Sequence, residues 1–171
     1  MTLDQLNKIM PNARAKAGIF LPALNAAMAE FAINTPARQA SFLAQLAHES
    51  GQLLYVRELA SGAAYEGRKD LGNVQAGDGV RFRGRGLIQV TGRANYAACG
   101  KALGLDLLAQ PALLEQTVNA CRSAGWFWQS RGLNALADAG DQVAVTRRIN
   151  GGTKGLAERL AYFKVAQRVL A

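Results

Sequence analysis

The sequence predicts a mostly α-helical single domain, residues 1–171, carrying one loop-rich insert at about residues 52–92. Three observations carry that expectation. Apolar residues recur at helical spacing outside the insert, glycines stand at 62, 67, 72, 77, 79, 84, 86 and 92 within it, and hydrophobic residues make up 50% of the chain against 19% charged. A chain of 171 residues can bury a core without staples.

Leu3 to Ile9 reads as a short first helix that ends before Pro11, because the residue preceding a proline disfavours helical torsions. A second helix is expected from about Ile19 to Phe31. Thr35-Pro36 is a helix start, a hydroxyl cap followed by proline at the first helical position, and the run to Ser50 holds no breaker before Gly51. The insert follows as loops with at most a short hairpin. Helical pattern returns at Arg93–Leu103, Pro111–Gln129, Asp141–Ile149 and Leu156–Leu170, punctuated by Gly104, Gly132, Gly140 and Gly151-Gly152. A long insert in a small helical domain is usually functional, and this one is rich in arginine and aromatic residues.

Twenty Lys and Arg against twelve Asp and Glu give a net charge of +8, which predicts attraction to a polyanion: nucleic acid, anionic membrane or bacterial wall polymer. Cys99 and Cys121 fit neither a zinc ribbon nor a disulfide scaffold and are expected as buried free thiols. The first residues lack the layout of a secretory signal, so a cytoplasmic product is expected. Ala17–Ala32 is broken by Pro22, Asn25 and Glu30 and is too short to span a bilayer.

His48-Glu49 invites a zinc-protease reading, but His48 is the single histidine and the second ligand one turn away is missing. Gly-x-Ser-x-Gly does not occur, and Gly77-Asp78-Gly79 and Gly84-Arg85-Gly86 lack the remainder of a nucleotide-binding loop. Carboxylates remain. On a helical wheel over residues 36–50, Phe42, Leu43 and Leu46 form a stripe, with Glu49 at its edge and Arg38, Ser41, Gln45 and His48 on the polar side. Glu49 is thus expected half inside an apolar wall, where desolvation suits a general acid. Glycosidic hydrolysis needs a second carboxylate, and Glu58, Glu66, Asp70 and Asp78 all follow in the insert. Glu58 is nearest and could face Glu49 at the roughly 6.5–9.5 Å that admits a water and inverts the anomeric centre. Arg81, Arg83 and Arg85 alternate as on one face of a strand, which suits an anionic polymer or a phosphate backbone; a basic nucleic-acid-binding module is the rival from another class. Gln89, Thr91 and Asn95 offer neutral groups for hydroxyls, acetamido groups or an attacking water.

Four ordered motifs join these residues: His48-Glu49-Ser50-Gly51; Gly84-Arg85-Gly86 with Ile88-Gln89, Thr91-Gly92 and Asn95-Tyr96; Ala124-Gly125-Trp126-Phe127-Trp128; and Ile149-Asn150-Gly151-Gly152. Together they resemble the glycoside hydrolase family 19 chitinases. The opening Ile9-Met10-Pro11, with Phe20-Leu21-Pro22 and Leu24-Asn25, looks more like the family's phage and prophage endolysin branch. The resemblance implies a lysozyme-like fold, two helical lobes flanking a substrate cleft. It implies Glu49 as general acid, Glu58 as general base, and Thr91 as the hydroxyl that helps hold the water. His48, Tyr65, Arg68, Gln89, Asn95, Asn150 and Arg159 match substrate-binding or supporting positions, while Trp126, Phe127 and Trp128 are expected in the core. The segment between the glutamates is shorter than in the plant chitinases, which leaves Glu66 as the competing base. Under this reading the chain cuts β-1,4 bonds of peptidoglycan as a monomer, with chitin the alternative substrate. It needs no metal or cofactor, no nucleic-acid partner and no stable membrane insertion, and it reaches the wall after a holin opens the inner membrane.

Overall fold

The computed structural model describes all 171 residues. It holds nine α-helices: α1 (Leu3–Ile9), α2 (Ala15–Glu30), α3 (Pro36–Glu49), α4 (Asp78–Arg81), α5 (Arg93–Leu103), α6 (Thr117–Ser130), α7 (Leu133–Asp138), α8 (Gln142–Asn150) and α9 (Leu156–Leu170). This is the mainly helical, lysozyme-like architecture expected. No helix is long and apolar enough to cross a membrane.

Side-chain caps set three of the nine helix starts. Thr2 closes a capping box with Gln5, Thr35 accepts from the Arg38 N–H with Pro36 at the first turn, and Asp141 accepts from the Ala144 N–H. Three expectations are corrected. The second helix begins at Ala15, and it carries Pro22 in its interior. The run from Pro111 is two elements, a 3-10 turn at Pro111–Glu115 and then α6, because Gln116 adopts extended torsions between them. The segment between Gly132 and Gly140 holds α7, a six-residue helix too short to declare a periodicity.

α3 lies along α9, and α8 also packs on α9, while α2 runs against α6, which also meets α5. α3 is buried continuously from Ala40 to Ala47. Its polar side is therefore an interface rather than a solvated face: Ser41 donates to Gln142 at 2.9 Å and Gln45 to Thr146 at 3.3 Å, both on α8. Trp128 anchors the other side of α3, edge-on to Phe42 with centroids 5.3 Å apart.

The insert has short 3-10 turns at Ala63–Tyr65 and Lys69–Leu71, the single turn α4, and two isolated bridges, Arg57 to Arg85 and Arg85 to Val90. Between Arg85 and Val90 the tight turn Gly86–Gln89 pushes Leu87 and Ile88 into the core, 0% and 5% exposed. That plug fixes the insert and leaves Gln89 in left-handed torsions, φ +58.

Candidate active site

Glu49 is the last residue of α3, and its neighbour is a charge rather than an apolar wall. Arg159 of α9, 3% exposed, approaches Glu49 Oε1 at 2.6 Å and donates to Gln45 Oε1 at 2.5 Å. The wheel placed Glu49 correctly in register, but the helix packed over it brings a guanidinium. Arg159 Nε also reaches the Lys154 carbonyl at 3.2 Å, the same oxygen that accepts from Asn150 Nδ2 at 3.1 Å. Asn150 thus shapes the turn after α8, its Oδ1 accepting from the Gly152 N–H at 2.8 Å. His48 Nδ1 pairs with the Glu158 carboxylate, and the backbone of Gly155 presses on its ring. No set of three His, Cys, Asp or Glu side chains gathers as metal ligands.

Glu58 stands on the insert. Its N–H donates to the Gly84 carbonyl at 3.0 Å, and its Oε2 accepts from the Gly84 N–H at 2.6 Å. A side-chain carbon on Gly84 would meet Gln89 Oε1 at 2.6 Å, Glu58 Oε2 at 2.7 Å and Thr91 Oγ1 at 3.3 Å, so three functional oxygens converge on one point. The left-handed torsions of Gln89 bring its side chain there, while its Nε2 is tied back to the Gly86 carbonyl at 3.1 Å. The Thr91 hydroxyl donates to the Gln89 carbonyl at 2.9 Å, and Asn95 Nδ2 to the Thr91 carbonyl at 2.8 Å. Tyr65 lies against Glu58, and burial, reinforced by the Glu58 charge, raises its phenol above the ordinary range. Arg68 is turned aside to Asp70, at 2.5 Å.

The competing carboxylates are occupied elsewhere. Glu66 accepts from the Gly77 and Gly79 N–H groups at 2.7 and 2.8 Å, one with each oxygen. Asp78 accepts from the Val74 and Gln75 N–H groups and from Arg93, which holds its carboxyl down at about 2. The alternating arginines are drawn to different partners: Arg81 ends α4 and donates to the Leu108 and Ala109 carbonyls, Arg85 is buried on Glu115 at 2.8 Å, and Arg83 enters no ion pair. The strand face expected for a phosphate backbone is therefore not formed.

A family model described as Chitinase class I matches residues 21–169. The chain belongs to glycoside hydrolase family 19. A glycosyl hydrolase family 19 domain-containing protein of Haemophilus influenzae is 31% identical over 92% of this chain and 91% of its own length. An Arabidopsis thaliana endochitinase is 39% identical over 66% of this chain but only 39% of that protein, so the chain spans well under half of that plant relative. Among solved structures, chitinase C of Streptomyces griseus HUT6037 superposes with a TM-score of 0.80 at 26% identity, over 99% of this chain and 76% of that one. The class IV chitinase of Zea mays gives 0.71 at 26% identity, over 86% and 78%.

In this family 19 glycoside hydrolase the three aromatics expected in the core divide: all pack in or against it, and two of them also border the candidate site. Trp128 is buried, but Trp126 and Phe127 are half-buried and, with Arg131, line a pocket of about 110 Å³ beside Gln89, Thr91 and Asn95. Arg131 lies 3.5 Å over the Phe127 ring. The signal was present: three consecutive aromatic residues step 100° apart on a helix and cannot all face the core.

Proposed function

We propose that this family 19 enzyme hydrolyses the β-1,4 glycosidic bonds of peptidoglycan by a single displacement with inversion. Glu49 is the acid and Glu58 the base. The observation that carries the reading is the convergence of Glu58, Gln89 and Thr91 beside Gly84, a carboxylate oriented by a backbone N–H with a hydroxyl alongside. A water held there by Thr91 loses its proton to Glu58 as it attacks the anomeric carbon. Glu49 gives its proton to the departing glycosidic oxygen, and Arg159 at Oε1 stabilises the carboxylate that this leaves behind, an interaction stronger at the transition state than before it. Glu66 is set aside as the base because both its oxygens hold the Gly77–Gly79 turn. The net charge of +8 favours an anionic wall over neutral chitin. We further propose that the enzyme waits in the cytoplasm of a bacterial host until another agent opens the inner membrane, as in the endolysin branch.

The chitinase reading rests on the relatives, several of which are endochitinases. One digest separates the two: purified peptidoglycan beside chitin oligomers, wild type against Glu49→Gln and Glu58→Gln, products weighed by mass spectrometry and their first anomer read by NMR. Release of inverted muropeptides, reduced about 10²–10⁴-fold in each variant, is expected. Cleavage of chitin alone selects the second reading, and undiminished cleavage by Glu49→Gln removes Glu49 as the acid.

A further inference from the structure

A groove of about 270 Å³ opens directly beside Glu58, walled by Leu54, Tyr55, Arg57 and Leu59 on one strand-like segment, by Arg83 on the segment paired with it, and by Glu115. The pairing is fixed by the Glu58 N–H to the Gly84 carbonyl and the Gly86 N–H to the Val56 carbonyl, at 3.0 and 2.8 Å. Both segments therefore belong to the scaffold that positions the proposed base.

Two carboxylates, Glu58 and Glu115, face Arg57 and Arg83 here, but Glu115 is taken by Arg85 from behind the wall, so the groove and its wall hold three guanidinium groups against two carboxylates. Arg83 enters none of the chain's ion pairs, and its Nε is buried with no hydrogen-bond partner. Arg57 is half exposed and reaches Glu115 only at 3.7 Å, because Glu115 is already held by Arg85 at 2.8 Å. An orphaned buried donor on a guanidinium is costly unless an acceptor arrives. The larger hollow beside α4 differs, since Arg93 there is bound to Asp78 and Arg81 to two carbonyls. The groove's rim is apolar as well: Leu54 and Tyr55 are nearly half exposed and Leu59 is 86% exposed.

One unpaired guanidinium, Arg83, and one held only loosely, Arg57, with an apolar rim suit carboxylates carried on a partly apolar branch, which Arg binds through paired N–H donors. A neutral sugar needs no such charge. The volume falls below the roughly 300–1,000 Å³ of pockets that swallow whole ligands, which fits a short branch hanging from a longer polymer. Resting on the reading of the enzyme as a peptidoglycan hydrolase, the geometry points to this groove as the site that takes the acidic stem peptide borne by the sugar bound next to Glu58. Arg57 and Arg83 bind its carboxylates, while Leu54, Tyr55 and Leu59 cover its aliphatic part. The groove is then what distinguishes a peptide-substituted glycan from a bare one.

The test compares intact peptidoglycan with the same glycan stripped of its peptides by an amidase, reading kcat/KM on both for wild type, Arg57→Gln, Arg83→Gln and the double variant. Circular dichroism and thermal melting check that each is folded, and the exposed Arg57→Gln keeps the test open if Arg83→Gln does not fold. The wild type is expected to favour the intact polymer, and the ratio of the two rates should fall about threefold in each single variant and about tenfold in the double. A wild type that treats both polymers alike, or variants that lose activity on both without changing the ratio, overturns the stem-peptide site and leaves the hydrolase reading standing. A wild type that cuts neither polymer overturns the hydrolase reading and the site with it.

Discussion

A methyl group on Gly84 would overlap Gln89 Oε1 and Glu58 Oε2, both at the far ends of flexible side chains, and Gly84 itself has no positive φ. Gly84→Ala should therefore fold, losing about 1 kcal/mol, while displacing the proposed base and costing about 10²-fold in kcat. Thermal melting beside hydrolysis rates checks both halves; unchanged kcat would show that the three oxygens do not act together. Gly155→Ala should behave in the opposite way. Its φ of +72 strains any side chain, and the new carbon would lie 2.2 Å from the His48 ring, so stability falls first, by about 1–3 kcal/mol in chemical denaturation. At this scale the sequence was legible where position depends on residue type and local spacing: Glu49 at the helix end, and Gln89, Thr91 and Asn95 beside one pocket. It was silent on partners far along the chain. Neither Arg159 beside Glu49 nor the release of Glu58 from the duty that occupies Glu66 follows from local pattern, because both are fixed by how separate segments pack.

Asp78 ties the insert to the first turn of α5. Its carboxylate accepts from the Val74 and Gln75 N–H groups and pairs with Arg93 at 2.6 Å, while the Arg93 N–H donates to Asn73 Oδ1 at 2.9 Å. Arg93 foremost, with the backbone donors, holds this buried carboxyl at about 2 against an ordinary 3.8. A depressed carboxylate contributes stability that is complete above its unfolded value and lost as pH falls through its folded one. Melting temperatures should thus drop between about pH 4 and pH 2, with Asp78→Asn less stable at neutral pH by about 2–3 kcal/mol and flatter across that window. Parallel profiles for the two proteins would remove the clamp as the cause. The two thiols give an independent check on the helices: Cys99 of α5 and Cys121 of α6 are pushed up to about 12 by burial. Both should resist a thiol reagent at pH 8 in the native protein and react together in denaturant. The start of α3 at Thr35 was readable because the cap is a local hydrogen bond. The run from Pro111 misled because its amphipathic pattern continues through Gln116 while the backbone does not, a break imposed by the packing of the Pro111–Glu115 turn on α6.

Over the whole molecule, the excess of eight positive charges acts at longer range than any contact in the cleft. Most of the arginines that face carboxylates are already neutralised, as in Arg38–Asp138, Arg122–Glu30 and Arg159–Glu49, so the excess resides in groups such as Arg83, Arg147 and Arg168 that enter no ion pair. Under the proposed function those groups draw in a polymer whose peptides carry carboxylates, and a neutral glycan gains nothing from them. Screening separates this attraction from the chemistry: the Debye length shrinks from about 8 Å at 0.15 M salt to about 3 Å at 1 M. Hydrolysis of intact peptidoglycan should therefore slow with salt through a rise in KM, about tenfold between 0.05 and 0.5 M, with kcat nearly constant. Chitin oligomers, carrying no charge, should be cut at a rate that salt barely changes. Equal salt dependence on the two substrates would place the effect in the protein's own stability, whereas a KM effect confined to the charged polymer ties the basic surface to capture and leaves bond cleavage to the carboxylates of the cleft.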